Sequence, residues 1–369
     1  MIKTMFTSII IPSLIAIMSR IVMSNGMNNS GGADTLILYE DYPTAIVNVE
    51  HYSDMERIYS IVVHELLHGF QHLQGEKRFP NELLGMNYPL LKENIELRNR
   101  ERQYLYHAVM ATTKEEQYRS LTQFIAARES RRTVMGQYLD YELSIETVEG
   151  PAFYVESQAY RHKSHKAYAD SLTTYRSSLL NNSESSRMLR KSCYSSGLFL
   201  CSLLDELAPA WKETFFASDN LLYDMLKELV EWQPYRIHDL EISDETISII
   251  ESITKEKEEI FLQFEQTKGY HVYIKGDMVS KGFDPMNVIV KDNKRLHKRF
   301  ISVAINDKVF QISQPVMVDS GDTFSAIKQL HLVLDEKPII RDGVIFMEGV
   351  GEVKGNLVEK DHMYYIVLE

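Results

Sequence analysis

His64, Glu65 and His68 stand in the spacing H-E-x-x-H inside the run IYSIVVHELLHGFQHLQG. On a helix, positions i and i+4 share a face, so both histidines can aim a ring nitrogen at one metal ion. Glu65 sits beside them and set back, where a carboxylate can hold and deprotonate a metal-bound water. Zinc lowers the pKa of bound water from about 15.7 to roughly 7, which lets a carboxylate serve as the base. The expected cofactor is one Zn2+ per chain. Chance is the competing explanation, since three fixed positions in five recur in roughly one chain in a hundred of this size. The surroundings favour chemistry. Ile61, Val62 and Val63 make an apolar lead-in, Ser53 and Glu56 form a capping box at the helix start, and Gly75 marks its stop.

Two histidines are half a site, because a catalytic zinc keeps three protein ligands and one open position. His72 continues the i+4 row. Successive i+4 residues drift around a straight helix, so His72 reads as a surface residue or as support for a ligand. The longer pattern H-E-x-x-H-x-x-G-x-x-H fails, with Gln71 in place of its glycine and Gln74 in place of its third histidine. The third ligand must come from elsewhere in the chain. Glu146, Glu149 and Glu156, in ELSIETVEGPAFYVESQAYR, are the candidates.

The elements that must bring these groups together read as follows. Residues 24–33 are a polar loop. Two strands, 35–39 and 44–49, flank a turn at Glu40-Asp41-Tyr42-Pro43, and the second is expected to lie beside an extended substrate. The motif helix follows, then a loop-like PNELLGMNYPLL. From Lys92 to about Val148 the chain is charged and helical, in two or three helices, and 92–130 reads as a helical insertion. Arg128, Arg131 and Arg132 there, with Glu142 and Glu146 after them, are expected to be mostly a solvated charged face. Another helix runs from Glu149 to about Lys166, started or kinked by Pro151. NNSESS at 181–186 reads as a loop, and helices follow at 188–207, 221–232 and 244–266. From Tyr270 the pattern turns to β, with hairpin turns at Asn306-Asp307 and Asp342-Gly343. His271, His297, His331 and His362 look scattered along it.

At Val148-Glu149-Gly150-Pro151-Ala152 the sequence resembles the gluzincin metallopeptidases, in particular the aminopeptidase N-like branch. Its third zinc ligand lies in an N-E-G-F/L-A string; here Pro151 replaces the apolar residue. The resemblance implies Glu149 as third ligand, with Glu146 its rival one turn away. The segment SCYSSGLFLCSLLDEL is similar to the branch's Y-x-K-G segment: Tyr194 and Gly197 match, and Ser196 replaces the lysine. Tyr194 would then donate a hydrogen bond to the oxyanion. Otherwise it is a core tyrosine in a stripe with Leu198 and Cys201, and Tyr154, Tyr160 or His165 would stand in. No G-x-M-E-N string is present, so the anchor for a free amino terminus is missing.

The expected architecture is α+β. A short N-terminal β region (1–52) precedes a mainly helical, gluzincin-like metallopeptidase domain (53–267), and a small all-β domain (268–369) follows. The expected function is a zinc peptidase in which His64, His68 and Glu149 hold the metal, Glu65 moves the proton and Tyr194 steadies the oxyanion. The alternative is a catalytically inactive or regulatory protein of the same fold that acts by binding a partner. The 369 residues carry a net charge of −12, which argues against nucleic acid as a partner; the peptidase reading implies a peptide or protein substrate. Cys193 and Cys201 lie in one helix and read as small buried hydrophobes, not a bridge. The first 26 residues read as a packed element before a secretory signal, and last as a membrane anchor. The corresponding location is cytoplasmic, or secreted if they are a signal.

Overall fold

The computed structural model describes residues 22–23, 34–52, 54–235, 239–305, 308–320 and 325–368. The N-terminal run to residue 26 (apart from 22–23), the loop at 24–33, Ser53 and the Asn306-Asp307 turn lie outside the described residues. The chain divides into two compact units. One comprises the chain up to Asn81 with Pro89–Ile249, the other Glu82–Tyr88 with Ile250–Glu369.

The first unit opens with a small sheet of β1 (Val22–Met23), β2 (Thr35–Tyr39) and β3 (Tyr42–Val47) in the order β1-β3-β2. The β2–β3 turn takes two residues, not four. Glu40 and Asp41 have φ of 49° and 66°, the left-handed pair that matches strand twist in a tight hairpin. Tyr42 and Pro43 therefore belong to β3. That strand is the middle one, paired with β2 from Tyr42 to Ile46 and with β1 at Ile46 and Val47. On the β1 side the pairing covers only Ile46 and Val47 of the strand.

Beneath the sheet lies α1 (Met55–Leu73), which carries the histidine motif. Asp54 caps it, accepting from the Arg57 amide at 2.8 Å. Gly75, at φ 73°, ends it, and the Glu76 amide returns to the Gln71 carbonyl at 3.0 Å. Leu66 packs on Ala45 of β3, flanked by Val62 and Phe70. The stretch read as a loop at 80–91 holds a short helix, α2 (Glu82–Met86), which belongs to the second unit.

The helical body of the first unit is α3 (Lys92–Met110), α4 (Lys114–Met135), α5 (Gln137–Lys163), α6 (His165–Leu180), α7 (Asn182–Arg187), α8 (Leu189–Leu207), α9 (Trp211–Phe215) and α10 (Leu222–Lys227). Two expectations are corrected. Residues 182–187 are helical, capped by Asn181 accepting from the Glu184 amide at 3.1 Å. And α5 does not begin at Glu149 but runs through Pro151. Proline inside a helix removes one hydrogen bond at a cost of about 3 kcal/mol, which the packing of α5 between α1 and α8 must offset.

The close contact of α5 and α8 has a specific cause. A Cβ on Gly150 would lie 2.7 Å from the Gly197 carbonyl carbon, and one on Gly197 would lie 2.7 Å from the Gly150 Cα. The backbones touch, and only glycine fits at either position.

Most of the charged face is not solvated. Arg98, Arg102, Arg128 and Arg131 are at most 2% exposed. Arg128 donates to Glu146 at 2.6 Å and to Glu101 at 2.5 Å. Arg131 donates to Glu101 at 2.7 Å and also to Glu142, and Arg98 donates to Glu142 at 2.9 Å. The charges interleave across α3, α4 and α5, so Arg98, Arg128 and Arg131 each find an opposite charge inside the body and give up water, while Arg102 donates to the Ser192 and Ser178 carbonyls at 3.0 Å each. Arg132 alone of its group stays at the surface, paired with Asp140 at 3.0 Å. Cys193 and Cys201 are buried, free thiols on α8.

The second unit combines α2 and most of α11 (Asp244–Glu265) with strands β4 to β15. A central path runs β14 (Gly355–Lys360), β15 (Met363–Leu368), β4 (Tyr270–Phe283), β10 (Ala326–Leu334), β9 (Val316–Ser320), β6 (Lys294–His297) and β5 (Val288–Lys291), antiparallel except for β15 beside β4. The turn predicted at Asp342-Gly343 joins β11 (Ile339–Arg341) to β12 (Val344–Met347). Two of its histidines are not scattered: His271 Nδ1 and His331 Nε2 are 2.9 Å apart, because β4 and β10 (Ala326–Leu334) are neighbours. No described helix is long and apolar enough to cross a membrane.

Candidate metal centre

His64 and His68 lie one turn apart on α1, and Glu149 reaches them from the middle of α5. Their ligand atoms gather within 4.8 Å of one another, the one such group of three among the described residues. The two Nε2 atoms are 3.2 Å apart, and Glu149 Oε2 lies 3.8 Å from His64 Nε2 and 3.6 Å from His68 Nε2. Donors bound at 2.0–2.2 Å to one tetrahedral ion stand roughly 3.3–3.6 Å apart. The gathered residues are thus close to the separations a zinc ion needs, with the His, His, Glu donor set of a catalytic site.

The far side of each histidine is occupied. His64 Nδ1 meets Glu156 Oε2 at 3.0 Å, and His68 Nδ1 meets Gln71 Oε1 at 2.8 Å. Both acceptors call for a proton on Nδ1, which leaves the Nε2 lone pairs facing each other. Gln71 also donates to the Val148 carbonyl at 2.7 Å, tying α1 to α5 one residue before Glu149. The glutamine that broke the longer zinc pattern is therefore what orients His68. Glu156 was legible only as one of three glutamates. It lies two turns beyond Glu149 on the same face, the signal that could have singled it out.

Glu149 divides its two oxygens. Oε1 accepts from Arg190 at 3.0 Å, while Oε2 faces the histidines. Burial works against its charge, but His68, His64 and Arg190 outweigh it and hold its pKa below the usual range. For His68 burial opposes the charge and contact with Glu149 reverses this, raising its pKa. The rival, Glu146, points the other way: it is bound by Arg128 and by Ser196 at 2.5 Å.

Glu65 is 7% exposed beside the histidines. Burial raises its pKa, the two histidines lower it, and Glu149 and Asp34 add to the rise. Asp34 accepts the Tyr52 hydroxyl. This pair was not foreseen, because it joins the start of β2 to the loop before α1.

Tyr194 joins the cluster through two neighbours. Arg190, one turn earlier on α8, hydrogen-bonds it as well as Glu149. Its ring stacks on Phe153 at 4.7 Å, and Phe153 meets the His64 ring edge-on at 4.6 Å. Burial and the Glu149 charge raise the phenol pKa, so it stays protonated and able to donate. The other candidates lie elsewhere in hydrogen bonding or exposure. Tyr154 donates to Asp205, Tyr160 hydrogen-bonds Ser60, and His165 and His72 are exposed. No protein-family model, curated protein or solved structure matches this chain.

Proposed function

We propose that the chain is a zinc-dependent peptidase of the gluzincin kind. The observation that carries this is the meeting of His64 and His68 with Glu149 across two helices, each histidine backed by its own acceptor. Zinc, when bound by these three residues, supplies a Lewis acid that polarises the scissile carbonyl and acidifies water. Glu65 takes the proton from the attacking water and delivers it to the leaving amine. Tyr194 donates to the carbonyl oxygen as negative charge builds there. Glu156 and Gln71 fix the ring orientation of the two histidines, and Arg190 keeps Glu149 Oε1 engaged so that Oε2 is the ligand oxygen. With no G-x-M-E-N string to hold an amino terminus, the reading favours an endopeptidase or a narrow processing peptidase.

The direct test is metal analysis joined to a peptide-library digest. About one zinc per chain and cleavage abolished by a chelator are expected. Zinc without any cleavage would leave the alternative, a partner-binding protein of this fold, in possession. A second measurement addresses the supporting residues. Glu156→Ala is expected to weaken zinc binding about 10- to 100-fold, read by competition with a chromophoric chelator. Unchanged affinity would remove Glu156 from the centre.

A further inference from the structure

A cavity of about 670 Å³ lies beside the histidine–glutamate cluster, formed by α6, α7 and α8 with Phe153 of α5. Its size falls in the range of small-ligand sites, about 300–1,000 Å³. Phe153 links it to the candidate metal centre. The ring meets His64 edge-on at 4.6 Å, stacks on Tyr194 at 4.7 Å and meets Tyr175 at 5.7 Å. Tyr175, Tyr194 and Met188 line the cavity with it.

Both threonine hydroxyls and most of the serine hydroxyls that line this space are already engaged. Thr173 and Thr174 donate to the Ala169 and Asp170 carbonyls one turn back, at 2.9 and 3.0 Å. Ser178 and Ser195 bond each other at 2.6 Å. Ser192 donates to the Leu189 carbonyl at 2.6 Å and accepts from Arg98 at 2.5 Å. The charged lining residues, Lys191 and Glu184, pair with each other at 3.2 Å and are 61% and 43% exposed, so they belong to the rim. Arg98 and Arg102 are buried behind the serines and do not line the cavity. What faces an incoming group is therefore mainly ring surface and a thioether, not a set of converging donors.

We propose that this cavity receives a large aromatic or branched aliphatic side chain from the residue next to the scissile bond, an inference that rests on the zinc-peptidase reading. Aromatic rings offset against Phe153, Tyr175 and Tyr194 would gain contact without displacing any hydrogen bond. Met188 can adjust to the shape of the guest. An acidic side chain meets no guanidinium there, since neither Arg98 nor Arg102 lines the cavity, and Lys191 at the rim is already paired with Glu184.

The test uses the zinc-loaded full chain and two hydroxamates that differ in one group. Isothermal titration compares 3-phenylpropanohydroxamate with acetohydroxamate. Burying the phenyl group is expected to tighten binding about 10- to 100-fold. Thr174→Trp, at an exposed helical position on the cavity wall, should place an indole in the space and bring that ratio close to one. Ser177→Trp repeats the filling from the next turn should the first variant fold poorly. Equal affinity for both probes in the unaltered chain overturns the cavity assignment and leaves the zinc reading standing. A phenyl advantage that persists in both filled variants overturns it too, since the ring would then bind elsewhere. Binding of neither probe overturns the cavity and the zinc reading together.

Discussion

Glu65→Gln is expected to retain zinc and lose peptide cleavage by about 100- to 10,000-fold, the usual worth of a positioned general base. The amide keeps the shape and most of the packing of a side chain that is 7% exposed, but it cannot accept and release a proton. Because Glu65 is not among the three gathered ligand residues, metal content separates two explanations of any loss. Activity lost with zinc in place assigns Glu65 to proton transfer. Activity lost together with zinc would assign it to holding the site's shape. Full activity with zinc in place would remove the mechanism proposed here.

Arg128→Met should produce the largest loss of stability. Arg128 is 1% exposed and binds two buried carboxylates, Glu101 and Glu146. Removing one partner of a buried ion pair leaves charge without compensation and costs about 3–5 kcal/mol, a large share of the 5–15 kcal/mol typical of a folded domain. Urea unfolding of the two proteins measures it. The pH dependence has a defined sign. Burial works against the charged form of Glu101, but Arg128 and Arg131 outweigh it and hold its pKa below the unfolded value. The stability this contributes is present above the ordinary carboxylate pKa, about 4.3, and is lost as pH falls through the lowered folded value. Replacing Arg128 removes part of that contribution. The gap between the two proteins should therefore narrow on acidification. A loss under about 1 kcal/mol that does not change with pH would mean that Glu101 and Glu146 find other compensation.

How much of this was legible beforehand follows the distance over which each signal acts. His64, Glu65 and His68 were readable because a helix brings i and i+4 together whatever else the chain does. Glu149 came from resemblance alone; no local rule distinguishes it from Glu146, and only the arrangement of helices decides. Gln71 looked like a defect in a pattern and proved to orient His68. The arginines misled for a physical reason. A run of charges looks polar along the sequence, but burial depends on the facing helix, and here α3 and α5 present matching carboxylates. Pro151 misled as the sign of a helix start, since α5 runs through it. The β character after Tyr270 was legible, because alternation in strands is a short-range signal, though strands such as Val316–Ser320 and Gly355–Lys360 were not singled out.

The meeting of Gly150 with Gly197 also acts as a fulcrum. Gly150 is the midpoint of α5 (Gln137–Lys163). At 1.5 Å per residue, Glu149 stands about 1.5 Å along the axis from it and the helix ends roughly 20 Å. Rocking the helix by about 5° about that contact would carry its ends roughly 1.7 Å but the Glu149 Cα, about 3.8 Å from that of Gly150, only about 0.3 Å. The ends of α5 would thus move several times farther than the backbone that carries Glu149.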